Sequence, residues 1–143
     1  MIGGMTEPVP NDSATTAADR CPCGTGAEYR SCCGRLHAGA GSAVTAEELM
    51  RSRYAAFALG DEAYLLHSWH PTTRPDHVRF VDGQRWTGLE VLSAQGGPFD
   101  AEGVVEFVAS YERNGQPREL REVSRFVRHE GRWVYLDAIA AAT

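Results

Sequence analysis

The chain has 143 residues, 43% of them hydrophobic and 23% charged, with a formal net charge of −5. That length holds one globular domain of ordinary size plus a small appendage, and the acidic balance provides no global field to gather nucleic acid or anionic lipid. There is no lysine among its 14 cationic side chains, which excludes Schiff-base chemistry and the lysine-dependent phosphate loop.

Residues 1–20 read as a disordered leader, with Glu7, Pro8, Pro10, Asn11, Asp12 and Ser13 followed by a Thr/Ala run. They lack the basic start and apolar stretch of a signal peptide. No apolar run in the chain approaches the ~18–20 residues of a membrane span. A cytoplasmic location follows as the expectation, with thiols reduced and available to metal.

Residues 21–36 form a cysteine module holding all four cysteines of the chain: Cys21, Cys23, Cys32 and Cys33. Two thiol pairs on either side of a short loop are the pattern of a small tetrahedral zinc site. Thiolates are soft ligands and suit Zn(II) better than magnesium or calcium. Gly24 and Gly26 allow the positive φ angles needed to fold a loop around one ion. Four sulfur ligands leave no position for water, so such a site is structural rather than catalytic. The rival reading is disulfides. A Cys32–Cys33 bridge would close a strained ring and Cys21–Cys23 one nearly as tight, but cross-pairings are sterically open; free or redox thiols are a third option.

Leu36 to Val44 is a Gly/Ala/Ser connector. Thr45-Ala46-Glu47-Glu48 is a capping box that opens a helix, with Met50, Tyr54 and Phe57 on one stripe and Gly60 as its stop. Arg51 and Arg53 read as straddling a face of this helix in surface or interdomain ion pairs. Asp61 caps a second, shorter helix carrying Tyr64, Leu65 and Leu66 up to Trp69, ended by His70-Pro71. From Val78 the pattern turns to strands: Val78–Val81, a turn at Asp82-Gly83, then Arg85–Ala94, in which Leu89–Leu92 also fits a helical turn. Gly96-Gly97-Pro98 breaks the chain. Val104–Arg113 alternates, with Val105, Phe107, Ala109 and Tyr111 on one face. Asn114-Gly115 is a hairpin signal leading into Leu120–His129, and Glu130-Gly131 turns into Arg132–Ala140. Helices first and an antiparallel meander afterwards make the fold α+β.

The run from Cys21 to Gly34 resembles the SEC-C motif, the zinc-binding tail of the SecA preprotein translocase that also occurs on other bacterial proteins. The blocks that follow resemble the YchJ family of bacterial proteins. They are Leu49 to Tyr54, Tyr64 to Leu66, Trp69 to Pro71, Trp86 to Val91, Gly103 to Val108 and Ser124 to Phe126. This resemblance implies a cone-shaped nuclear-transport-factor-2-like domain over residues 45–143, in which a curved antiparallel sheet wraps around helices. It also carries the zinc ligands over one by one. SEC-C motifs are often basic between the cysteine pairs, whereas Ala27-Glu28-Tyr29-Arg30-Ser31 holds one charge of each sign, so an anionic partner does not carry over. Fold analogy alone adds a homodimer.

Domains of this shape often enclose a pocket between sheet and helices. Its polar candidates are Trp69, His70, Ser124, Arg125, Tyr135 and Asp137. By the period of two, Trp133, Tyr135, Asp137 and Ile139 share one face of the last strand. No catalytic triad, metalloprotease motif or phosphate loop is present, and no catalytic residue is assigned. Two functions are weighed. The favoured one is a cytoplasmic binding or adaptor protein with a structural zinc site and a pocket for a small ligand or partner. The alternative is a small hydratase, isomerase or hydrolase using Asp137 or His70 as acid/base. Chelation is expected to unfold the module, too small to fold without its ion, and to spare the larger domain.

Overall fold

The computed structural model describes residues 20–142; the leader, apart from Arg20, lies outside the described residues. A 3₁₀ turn at Tyr29–Ser31 leads into a short helix α1 (Cys33–His37), followed by α2 (Ala46–Leu59) and α3 (Glu62–His67). Four strands follow: β1 (Gln84–Gln95), β2 (Glu102–Arg113), β3 (Gln116–His129) and β4 (Arg132–Ala142). They pair in chain order as one antiparallel sheet. The α+β architecture expected from the sequence is the one observed.

The local signals act as their chemistry dictates. Thr45 Oγ1 accepts from the Glu48 N–H at 3.1 Å. The Glu48 carboxylate reaches one residue further back than a standard capping box, to the Val44 N–H at 2.7 Å. Gly60 closes α2 in the left-handed region, and Asp61 Oδ1 caps α3 at the Tyr64 N–H. The hairpins turn at Asn114-Gly115 and Glu130-Gly131, where both residues of each pair have positive φ.

One expected strand is absent. Val78–Val81 is irregular, because its polar and apolar groups are used against helices: the Val78 N–H bonds Glu62 Oε2 and the Phe80 ring packs edge-on against Phe57. The Leu89–Leu92 stretch is strand rather than helical turn.

The sheet curves because its two outer strands carry extra residues. In β1 the register shifts between Trp86 and Gly88 and between Val91 and Ser93. In β4, Leu136 and Ile139 are the unpaired residues against β3. Such bulges bend a strand and increase its twist. The concave face is then built from period-two rows that face one another across the ladder: Val105, Phe107 and Ala109 of β2 stand opposite Ser124, Glu122 and Leu120 of β3. Against this face lies α2.

Seating the start of α2 requires close approach of backbone. The Ala46 N–H donates to Gly96 O at 2.9 Å. A Cβ on Gly103 would stand 2.5 Å from Gln95 O and 2.7 Å from the Ala46 methyl. Glycine at this strand position is therefore what lets helix and sheet touch. Gly103→Ala is expected to lose about 2–3 kcal/mol of stability by overpacking, read as a lower urea midpoint at unchanged m-value.

Candidate functional site: a four-cysteine cluster and the cavity behind it

The four Sγ atoms of Cys21, Cys23, Cys32 and Cys33 lie within 4.8 Å of one another, and the Cys23–Cys32 separation is 3.6 Å. Cys21, Cys23 and Cys33 are buried and Cys32 is half-buried. Local backbone brings the pairs together. Gly24 and Gly26 take φ of 89° and 86°, the left-handed turns that fold the loop back. The Cys21 N–H then bonds Ala27 O at 2.8 Å, and the 3₁₀ turn delivers Cys32 and Cys33 to the start of α1. Thr25, which sequence reasoning passed over, sets its hydroxyl 3.3 Å from Cys32 Sγ and 3.6 Å from Cys23 Sγ. Hydrogen bonds of this kind orient sulfur ligands from outside.

Four thiols this close share protons unevenly. Hydrogen bonds from Cys21 and then Cys33 hold the Cys23 thiol far below its ordinary range, favouring its thiolate. The bond to Cys23 comes first in pushing Cys21 up to about 11. Cys33 is pushed up by its bonds to Cys21 and Cys23 and then by burial. The cluster is a proton-storing set of soft donors, the chemistry that a thiophilic metal ion replaces.

The module does not stand apart from the larger domain. Its three buried cysteines belong to the same hydrophobic cluster as Leu49, Met50, Tyr54 and Val105. Arg51 bonds Glu47 at 3.0 Å on its own helix and, through Nη1, the Cys23 carbonyl at 2.7 Å. His37 at the end of α1 bonds the Ser52 carbonyl through Nε2 at 2.8 Å. That contact makes Nε2 the donor, and Nδ1 stands 2.6 Å from the Tyr29 hydroxyl. Arg35 adds an ion pair to Glu48. The sulfur cluster is part of the larger domain's core, which argues against the expectation that chelation would spare that domain.

Behind α2, the concave sheet face and the helices line a half-open cavity of about 270 Å³. Of the polar candidates named from sequence, Trp69, Ser124 and Tyr135 line it; His70, Arg125 and Asp137 do not. Arg125 and Asp137 form a two-pronged pair at 2.7 Å on the convex side, both partly exposed. There the Arg125 guanidinium holds the Asp137 carboxyl below its usual range. The face sharing expected for β4 fails because Leu136 is the bulged residue. It puts two residues where one is counted, so Tyr135 faces Phe126 inside while Asp137 faces Arg125 outside. His70 spends its N–H on the Tyr135 carbonyl and its Nδ1 on Thr72. The acid/base pair on which the enzyme alternative depends is thus absent from the cavity wall.

The charged groups that do line it are Arg53 and Glu122, neither of which was singled out as a pocket residue. Arg53 is 6% exposed and has no salt bridge among the described residues, which corrects its reading as a surface ion pair. Its Nη1 donates to Leu65 O at 2.9 Å and Ser68 Oγ at 2.7 Å. Its guanidinium lies 4.7 Å from the Trp69 ring centre and 4.6 Å from that of Tyr135, two rings that meet at 84°. Burial pulls it down to about 10, so it remains a cation at neutral pH. Burial first, and the Glu122 charge second, push the Tyr135 phenol up to about 12, leaving it protonated. A sequence signal for Arg53 existed: Met50, Arg53, Tyr54 and Phe57 fall at i, i+3, i+4 and i+7, one helical stripe.

Comparison with known proteins agrees with this division. The family model of the YchJ middle NTF2-like domain matches residues 45–138, and that of the SEC-C motif matches residues 18–35. A UPF0225 protein of Streptomyces coelicolor is 54% identical over 118 residues, covering 82% of this chain and 92% of that protein. One from Chromobacterium violaceum is 48% identical, covering 90% of this chain and 98% of that protein. The solution structure of a SEC-C motif containing protein from Rhodopseudomonas palustris superposes with a TM-score of 0.76. It is 34% identical and covers 85% of this chain and 98% of its own. The crystal structure of a SEC-C motif containing protein from Psychrobacter arcticus gives 0.72 at 26% identity, covering 89% of this chain and 85% of its own.

Because Cys21 and Cys33 hold protons that a metal must displace, metal uptake releases at least two protons. Affinity measured by chelator competition is therefore expected to rise with pH, by at least about a hundredfold per unit near neutrality. A pH-independent affinity would contradict the proton-loaded cluster.

Proposed function

The chain belongs to the YchJ (UPF0225) family, with a SEC-C motif ahead of an NTF2-like domain, and on that premise we propose that it is a zinc-stapled binding protein of the cytoplasm. In this reading the four-cysteine site holds structural Zn(II) and the cone cavity takes a small ligand. The observation that carries it is the placement of the sulfur cluster and the cavity against two faces of one helix, α2, within a continuous core.

Zinc fits the donor set. Thiolates about 2.3 Å from a tetrahedral ion stand roughly 3.8 Å apart, and the four sulfurs already lie within 4.8 Å of one another. Softness selects zinc over hard cations. When bound, the ion supplies folding energy and no open coordination position; zinc-finger peptides gain an apparent ~10–16 kcal/mol in this way. The rest of the work belongs to the chain's own residues. Arg51 and His37 tie the loop to α2, and α2 presents Met50, Arg53, Tyr54 and Phe57 to the cavity. A cavity of about 270 Å³ is just below the range of drug-sized sites, so its occupant is a small molecule. No helix among the described residues is long and apolar enough to cross a membrane, and a reducing compartment is the one in which four thiols stay free for metal.

Freshly reduced protein is expected to contain about one zinc per chain. Removing it is expected to lower the unfolding midpoint of the whole domain, followed by near-ultraviolet circular dichroism, by roughly 10 °C or more. Metal-free protein, or metal loss that leaves the midpoint in place, would sink the staple. The cavity reading predicts saturable one-site binding of Nile red, a neutral apolar dye, weakened by enlarging Ala109 at the cavity wall to Phe.

A further inference from the structure

The cavity wall contains an arrangement that an apolar pocket does not need. Arg53 is a buried cation, and the described residues satisfy only its Nη1, leaving Nε and Nη2 without an acceptor. Keeping a guanidinium charged in such a place is costly unless something with electron density faces it. The Trp69 and Tyr135 rings provide part of that, meeting edge-on at its side and fixing its position. A second observation lies in the same corner: Trp69 Nε1 is buried without any hydrogen-bond partner, the one such side-chain atom among the described residues. Buried donors without acceptors are rare in proteins and each costs free energy. Arg53 Nε and Nη2 are thus donors without a protein acceptor that are not sealed from solvent, beside an indole N–H that is, while the remaining wall is largely apolar, with Met50, Phe57, Trp86, Phe107 and Phe126.

Resting on the reading of the cavity as a ligand site, we propose that its occupant is a small monocarboxylate with an aromatic or aliphatic body. The carboxylate accepts from Arg53 Nε and Nη2 beside the Trp69 ring, and the body lies along the apolar rows of β2 and β3. A guanidinium presents a planar fork that a carboxylate matches with two parallel bonds. A dianion such as a phosphate monoester fits less well, because the same wall carries the Glu122 carboxylate. Glu122 is held by the Ser124 hydroxyl at 2.8 Å. It stands four residues along β3 from Phe126, the residue paired with Tyr135, or about 13 Å of strand. Its carboxylate leans toward Ser124 and its charge is felt by both Arg53 and Tyr135, so Arg53 can balance one ligand charge while a second is penalised.

The test uses full-length zinc-loaded protein and two probes of the same shape, 3-phenylpropionate and the neutral 3-phenylpropionamide. Indole N–H resonances of the three tryptophans are followed by nitrogen-15 NMR, that of Trp69 being assigned by its loss in Trp69→Phe. The acid is expected to move the Trp69 indole signal and to bind at least about tenfold more tightly than the amide. Arg53→Gln should abolish the preference for the acid. Since Arg53 also holds the end of α3 and its loss could prevent folding, Glu122→Gln gives an independent arm. Removing that charge should tighten the acid by roughly threefold or more and leave the amide unchanged. Equal binding of acid and amide, or no effect of Glu122→Gln on the acid, would overturn carboxylate recognition while the ligand-site reading stood. Failure of both probes where Nile red still binds overturns it too; failure of Nile red as well removes the ligand site itself.

Discussion

Helix α2 has to satisfy two surfaces at once, and the remainder of the structure is arranged around that demand. On one side it meets a loop of four thiols that has no apolar mass of its own. On the other it roofs a concave sheet that would otherwise be open to water. The bond from Arg51 to the Cys23 carbonyl and the burial of Leu49 and Met50 join the two. Loss of order in the loop therefore exposes core rather than freeing a tail. This is the physical sense in which a fifteen-residue motif can matter to a whole domain: its sulfurs fill volume in the core as well as standing close enough together to hold an ion.

The sheet adapts to the helix through irregularity at its edges. Bulges in β1 and β4 curve it, while β2 and β3 at the centre keep uninterrupted register. The outer edge of β4 is covered where Ser68 and His70 exchange backbone hydrogen bonds with Tyr135, which blunts an edge otherwise open to pairing. The same short contact sets Trp69 against Tyr135 and so builds the corner in which Arg53 sits. Polar chemistry in the cavity is thus a product of how the edge is closed.

Much of this was legible in residue order. The caps at Thr45, Gly60 and Asp61, the hairpins at Asn114-Gly115 and Glu130-Gly131 and the alternating row of β2 all follow from local chemistry that tertiary context had no reason to override. The cysteine spacing located the four-thiol cluster because ligand type and loop length are properties of a short segment. The cavity was only half legible. Ser124 and Arg125 were both read as candidates although adjacent strand residues point to opposite faces, and strict alternation would have selected Glu122, Ser124 and Phe126 together. Arg53 lay in plain view on the Met50–Phe57 stripe, hidden by the habit of assigning arginine to the surface.

What residue order alone determined is the family, the soft-donor cluster, the α+β order of elements, the start and stop of α2 and the start of α3, since these depend on interactions within a few residues. Only the tertiary structure decided that the cysteine module shares the core, that Asp137 is outside and Glu122 inside, and that Arg53 is buried. One bulged residue at Leu136 turns the end of β4 over, and no propensity marks where such a residue falls. Whether an arginine is buried depends in turn on what closes over it, here Trp69 and Tyr135, which are sixteen and eighty-two positions away in the chain.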